Sequence, residues 1–311
     1  MPTHEMATPC GSRPSVQCTI SPSFNHYRRK AVPGVVPSQY SELLRCYGEI
    51  VLSRFSAAAI CSLFAVVASS AQAPATKERE REGTPVSVPF VGCASSGQTA
   101  VLKAPKGTNK SLPMKPEEAQ ALSYYKSADG IGILAPRGWN CAGVSGSSGD
   151  ALLLSPNPIR HDSSGWHGLE RPAIEIYHMF GATSGRYGVA EIMARVFPSY
   201  RPFANKALRD MGLPVPTGPY PKDTLTYRSK TIVEYTTPAN TEGLGNFNSL
   251  LGKNDLPIRG AAVIIGVPPN VRDGPDMVLL SVRLPQALAE LIPVISDQFE
   301  RDAPGLWLGY H

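Results

Sequence analysis

The chain has 311 residues, with 30 basic and 25 acidic side chains, which is enough for one substantial domain or two small ones. Its net charge of +5 comes largely from the N-terminal part, so the charge does not indicate a nucleic-acid-binding protein.

The stretch RFSAAAICSLFAVVASSA has the three parts of a secretory signal peptide: the basic Arg54, the apolar run Phe55–Ala68, and small residues ending at Ala71. The apolar run is shorter than the roughly 20 residues that a membrane-spanning helix needs. We therefore predict a signal peptide over residues 51–71, with cleavage after Ala71. An uncleaved membrane anchor and a buried core helix are the alternatives.

Residues 1–50 contain six prolines, three cysteines and no sustained apolar periodicity. Such a segment cannot bury a core, so we predict a disordered leader. A signal peptide normally begins near the start of a chain, but here about fifty residues precede it. We therefore predict that the start codon is mis-assigned and that translation begins near Val51 or Leu52. A genuine cytoplasmic or targeting leader is the alternative. Residues 72–84 carry a run of alternating charge, Lys77–Glu82, and are predicted to be a flexible tether.

Removal of residues 1–71 leaves 240 residues with 24 basic and 22 acidic side chains, and only Cys93 and Cys141 among the cysteines. Two cysteines in an oxidising compartment are expected to pair. A bond between them closes a loop of about 50 residues, which stabilises the fold by roughly 4 kcal/mol in the chain-entropy model. A reactive thiol is the alternative, although neither cysteine has a sequence neighbour that lowers a thiol pKa.

The hydrophobic patterns predict one compact α+β domain over residues 85–303, an antiparallel β-sheet flanked by helices, with a C-terminal tail over 304–311. Strands come in hairpins rather than alternating with helices, which argues against a doubly wound fold. Strands are predicted over 86–91, 131–135, from 139, 151–154, 172–180, 224–228, 231–237, 261–267 and 277–284. Helices are predicted over 116–128, 189–197, 204–211 and 288–299.

Common catalytic and nucleotide-binding motifs are absent from the sequence. The glycines of residues 130–135 match a dinucleotide-binding pattern only formally, because they follow a predicted helix and open a strand. There is no G-x-S-x-G nucleophile elbow and no H-E-x-x-H zinc motif. We therefore predict no catalytic residue, no metal site and no cofactor.

Two histidine-containing stretches are nevertheless candidates for chemistry. His161, Asp162 and His167 lie within seven residues of one another, and imidazoles with a carboxylate can bind a metal or transfer a proton. A solvated polar loop is the alternative interpretation, because spacing in a loop does not make side chains converge. In the strand over 172–180, His178 alternates with Glu175 and is predicted to be a satisfied core histidine on the opposite face.

The segment Pro136-Arg137-Gly138-Trp139 places an indole directly after a tight turn, where it is predicted to anchor a sheet edge. These four residues and the order of elements over about 115–303 resemble the domain shared by the photosystem PsbP-type proteins and the Mog1-type proteins. The chain is also similar to secreted bacterial proteins of unknown function, a resemblance that implies no particular chemistry.

Together these features predict a periplasmic or secreted protein that binds an unknown protein or small ligand in the envelope without catalysis. Nucleic acid is not an expected partner, and the membrane is contacted only transiently through the signal peptide. The alternative is a hydrolase or metal-dependent enzyme that uses the His161/Asp162/His167 loop. A third possibility is an interaction module that uses the glycine-rich loop over residues 243–254.

Overall fold

The computed structural model describes residues 84–98, 100–128, 130–266 and 274–309. The predicted leader, the signal peptide with its cleavage site, and the tether up to residue 83 lie outside these residues.

The described residues form a strand-rich fold with a few helices. The strands are β1 Pro85–Val88, β2 Phe90–Cys93, β3 Ser95–Ser96, β4 Val101–Leu102, β5 Lys110–Pro113, β6 Leu122–Ser127, β7 Gly132–Pro136, β8 Asn140–Gly146, β9 Gly149–Ser155, β10 Arg160–Asp162, β11 Gly165–His167, β12 Ala173–Met179, β13 Thr224–Tyr227, β14 Ile232–Thr237, β15 Ile258–Ile265 and β16 Asp276–Arg283. The α-helices are α1 Pro116–Ala121, α2 Arg186–Val196, α3 Arg201–Asp210 and α4 Ile292–Asp302, with shorter 3-10 segments at Pro198–Tyr200, Leu244–Asn246, Gln286–Leu291 and Ala303–Gly309.

A nine-stranded sheet with the order β13-β14-β15-β16-β12-β9-β8-β3-β4 forms the centre of the fold. Its pairs are antiparallel except for β3 with β8. A second sheet, β2-β6-β7, contains the parallel pair β2 and β6. The α+β class is therefore confirmed, but the sheets are mixed rather than antiparallel throughout.

The first predicted helix is wrong in its second half. Helix α1 ends at Ala121, and the following residues form β6 instead of continuing to residue 128. Tyr124 and Tyr125 occupy the middle of β6, where β2 and β7 pair on either side and both tyrosine side chains are buried. Aromatic residues fit a pleated, buried strand, and the strand pairing here outweighs the helical pattern.

The nine-stranded sheet is covered on both faces. On one face, α4 packs Val294, Ile295 and Phe299 against β15 and β16, as predicted for the final helix, and it also packs against β7 of the small sheet. On the other face, α2 packs a stripe that includes Ile192 and Met193. The 3-10 segment after α4 belongs to the first of these cores, since Ala303 is fully buried there.

The predicted disulfide between Cys93 and Cys141 is confirmed. Cys93 ends β2 in the small sheet, whereas Cys141 lies in β8 of the large sheet. The bridge therefore links the two sheets close to the point where the chain crosses between them. Such bonds are typical of proteins from oxidising compartments.

Candidate functional site: a polar cleft beside helix α4

The hairpin of β10 and β11 brings together two of the three residues predicted to form a ligand or metal loop. His167 Nε2 lies 3.1 Å from Asp162 Oδ1. His161 pairs with Trp166 across the hairpin, and their rings lie 4.8 Å apart between centroids. Because side chains alternate along a strand, His161 lies on the face opposite Asp162. The three predicted side chains therefore do not converge.

Ser164 completes the polar contacts at the tip of this hairpin. Its hydroxyl donates to Asp162 Oδ1 at 2.6 Å and lies 2.9 Å from His167 Nε2. These hydrogen bonds, led by the one from the Ser164 hydroxyl, hold the pKa of Asp162 well below its usual range. Serine and carboxylate both contact the same ring nitrogen, whereas a catalytic triad uses the two nitrogens separately. The side chains of Asp162 and His167 are 59% and 41% exposed, so water surrounds the pair.

The segment Pro136-Arg137-Gly138-Trp139 forms a turn held by hydrogen bonds to the backbone. The Tyr125 hydroxyl donates to Pro136 O at 2.9 Å and accepts the Trp139 amide at 3.0 Å. Gly138 has a φ of +81°, a conformation that favours glycine. Trp139 is half-buried against the core, and Arg137 donates to the carbonyl of Ala119 in α1. The turn thus joins the edge of the small sheet to α1, a structural role.

His178 and Glu175 lie on opposite faces of β12, as predicted. His178 is 2% exposed, and its Nε2 lies 3.3 Å from Asp276 Oδ2. That contact is within ion-pair distance but is not aligned as a hydrogen bond, and neither ring nitrogen has a hydrogen-bond partner in the described residues. His178 is therefore a core residue, as expected, but its hydrogen-bonding capacity is not satisfied there.

The loop over residues 243–254, which we call the covering loop, is attached to one face of the large sheet. Glu175 accepts the amide of Leu250 at 2.9 Å and the hydroxyl of Ser249. Burial raises the pKa of Glu175, against the opposing effect of these hydrogen bonds. Leu244 and Leu251 are fully buried in the same core as α2. The contacts of this loop with the sheet therefore serve the fold.

Arg283 adds a buried cation beneath the covering loop. It is 1% exposed and donates to three backbone carbonyls, at Arg171 (2.9 Å), Gly252 (2.7 Å) and Leu169. Burial lowers the pKa of its guanidinium. Its three nitrogens each have an acceptor, so the buried cation is satisfied by backbone oxygens.

A cleft of about 190 Å³ lies on the other face of the sheet, between α4 and the strands β13, β14 and β15. Its lining is polar because Thr224 and Thr226 of β13 and Glu234 and Thr236 of β14 face it, whereas β16 presents apolar residues to α4. The strand side is formed by Thr224, Thr226, Glu234, Thr236 and Arg259, and the helix side by Ile292, Pro293, Ser296 and Asp297.

One end of the cleft holds a group of charges that interact with one another. Arg228 donates to Glu234 at 2.7 Å. Glu300 lies beside them, and its buried Oε1 has no hydrogen-bond partner among the described residues. Burial, followed by the adjacent charge of Glu234, raises the pKa of Glu300 to about 8. At neutral pH Glu300 is therefore protonated, and the pair of carboxyl groups shares one negative charge that faces Arg228.

Two other polar groups of the cleft have no such partner among the described residues. Arg259 is exposed at the cleft and makes no ion pair or side-chain hydrogen bond within the described part of the chain. Ser296 is only 7% exposed, yet its hydroxyl makes no hydrogen bond with the described residues. That hydroxyl is not one of the enclosed polar atoms, so it is open to the cleft and available to an external hydrogen-bonding group.

A second cavity, of about 400 Å³, lies against α2 and α3. Its lining is mostly apolar and includes Met193 and Phe203. Its charged residues have partners: Asp210 pairs with Lys206, and Arg186 lies over the ring of Tyr187. It lacks the unpartnered polar groups of the cleft, so we regard the cleft as the candidate site.

Sequence reasoning missed the cleft because its two sides are distant along the chain. Thr236 and Arg259 lie in neighbouring strands, but Ser296 comes from a helix 37 residues beyond Arg259. Arg259 interrupts the otherwise apolar strand β15, which is a weak local signal. The polar residues of α4 follow the pattern of a solvated helix face.

No family model, curated protein or solved structure matches this chain. None of the helices in the described residues has the length and apolarity needed to cross a bilayer. Within those same residues, no group of three or more His, Cys, Asp and Glu side chains is placed to hold a metal ion.

Proposed function

We propose that this chain is a secreted or periplasmic, non-catalytic binding protein whose cleft beside α4 holds a small polar ligand. The proposal depends on one observation, the two unpartnered polar groups Arg259 and Ser296 on opposite sides of the cleft. A volume of about 190 Å³ is below the roughly 300–1,000 Å³ of pockets for drug-sized molecules, which favours a ligand of few atoms.

The disulfide and the predicted signal peptide over residues 51–71 support a location in the periplasm or outside the cell. A bond between Cys93 and Cys141 persists where thiols are not kept reduced. In this proposal the leader over residues 1–50 is not part of the exported protein. The partner of the exported protein is a small ligand in the envelope, or a protein that presents such a ligand.

Export is tested by producing the full chain in a bacterial host and isolating it from the periplasm or the medium. We expect mass spectrometry to find an N-terminus at Gln72, and thiol labelling to leave Cys93 and Cys141 unmodified. Retention in the cytoplasm with intact peptides from residues 1–45 would contradict the proposal.

Binding is tested by NMR titration of the same isotope-labelled protein with three probes of similar size: propionate, propionamide and propylammonium. We expect saturable shifts at Thr236, Gly260 and Ser296 with at least one probe. Absence of saturable shifts at the cleft with all three would overturn the cleft as a binding site.

A further inference from the structure

We propose that the ligand of the cleft is a small organic carboxylate, held by the Arg259 guanidinium and by the hydroxyl groups of Thr236 and Ser296. This inference rests on the proposed function and adds the chemical class of the ligand.

One cation of the cleft is available to an anion. Of the four charged lining residues, Arg228 and Glu234 pair with each other, and Asp297 has an interaction of its own. Arg259 is therefore the charged lining residue that has no partner among the described residues. Its planar guanidinium presents two parallel N–H donors, which match the two oxygens of a carboxylate.

The neutral groups of the cleft suit the same ligand. Thr236 approaches from β14 and Ser296 from α4, and both provide O–H donors for carboxylate oxygens. Ser296 contributes because its hydroxyl is open to the cleft and has no partner within the described residues. A carboxylate that accepts from this hydroxyl and from Arg259 would satisfy groups on both sides of the cleft.

A ligand with one negative charge fits the cleft better than a ligand with two negative charges or with a positive charge. A single unpaired guanidinium compensates a carboxylate, whereas a doubly charged phosphate would retain an uncompensated charge. A cationic ligand would be attracted to the acidic end, but Arg228 already pairs with Glu234, Asp297 has an interaction of its own, and Glu300 is protonated at neutral pH.

The acidic end also makes the binding depend on pH. Glu300 faces Glu234 and Arg228 from the strands and Asp297 from its own helix. As the pH rises through about 8, Glu300 ionises and adds a negative charge near the cleft. That charge opposes an anionic ligand, so carboxylate binding is expected to weaken between pH 7 and pH 9.

The test compares propionate with propionamide and propylammonium by NMR titration of the exported protein. We expect propionate to bind at least tenfold more tightly than either neutral or cationic probe, and Arg259→Met to reduce its affinity at least tenfold. Arg209→Met, which removes an exposed arginine of α3, is the matched control and should leave the affinity unchanged. With Glu300→Gln the affinity should stay constant between pH 7 and pH 9.

The outcomes separate the ligand class from the binding function. Tighter binding of propionamide or propylammonium at the same cleft resonances would overturn the carboxylate assignment and leave the cleft as a binding site. Equal effects of Arg259→Met and Arg209→Met on propionate would also overturn it. Absence of cleft shifts with every probe overturns both proposals.

Discussion

Two arginines on neighbouring strands have opposite environments in this protein. Arg283 of β16 points to the face of the covering loop, is 1% exposed and bonds to three backbone carbonyls. Arg259 of β15 points to the face of α4 and has no partner among the described residues. Two serines repeat the contrast: Ser281 contacts Tyr235 and donates to Gly245 O, whereas Ser296 has no hydrogen bond with a described residue.

This contrast distinguishes polar groups that hold the fold from polar groups that are available to a ligand. Beneath the covering loop, each buried donor of Arg283 and Ser281 has an acceptor, so removing either group leaves a partner unsatisfied. In the cleft, removing Arg259 or Ser296 leaves no described partner behind. The two sides should therefore respond oppositely when stability and ligand binding are measured on the same variants.

The largest effect is expected for Arg283→Met. The substitution leaves three buried carbonyls without their charged donor, and we expect a loss of about 3–5 kcal/mol in the free energy of unfolding. Urea denaturation measures this loss. The matched variant Arg259→Met should change stability by less than about 0.5 kcal/mol, and equal losses in the two variants would remove the distinction.

Ser281→Ala should have the next largest effect on stability. The serine hydroxyl lies 2.8 Å from the Tyr235 hydroxyl and donates to Gly245 O at 3.1 Å. Its loss leaves buried polar atoms with fewer partners. We expect the free energy of unfolding, measured by urea denaturation, to fall by about 1–2 kcal/mol. A neutral result would show that the network beneath the covering loop does not stabilise the fold.

The pH dependence of stability should involve Glu300. Its pKa is raised from 4.5 to about 8 in the folded protein. Its contribution to the free energy of unfolding is therefore complete below pH 4.5 and is lost as the pH rises through 8. Because the site is partly exposed, we expect a loss of about 1–2 kcal/mol between pH 6 and pH 9. Glu300→Gln should abolish this part of the pH dependence; an identical profile in the variant would contradict it.

The sequence predicts the elements whose partners are close along the chain or whose periodicity is regular. The stripe that includes Ile295 and Phe299 correctly predicts the packing of α4, and the compartment argument correctly predicts the Cys93–Cys141 bridge. The strand β6 is missed because a short segment with two tyrosines fits a helix as well as a strand until β2 and β7 pair with it.

The candidate site is harder to predict from sequence than the fold. His161, Asp162 and His167 are prominent because they are close in sequence, but a two-stranded hairpin places His161 on the other face. Arg259 and Ser296 form no local motif. Their significance comes from the absence of partners within the described residues, and that becomes visible only once the neighbouring strands and α4 are placed.

The central claim is that the unpartnered polar groups of the cleft serve a ligand rather than the fold, and Ser296→Ala tests it most directly. Unfolding free energy and propionate affinity are measured on the same preparation of this variant and of the original chain. We expect stability to change by less than about 0.5 kcal/mol, because no described partner is lost, and propionate affinity to fall severalfold. Unchanged affinity together with a loss of more than about 1 kcal/mol in stability would contradict the claim.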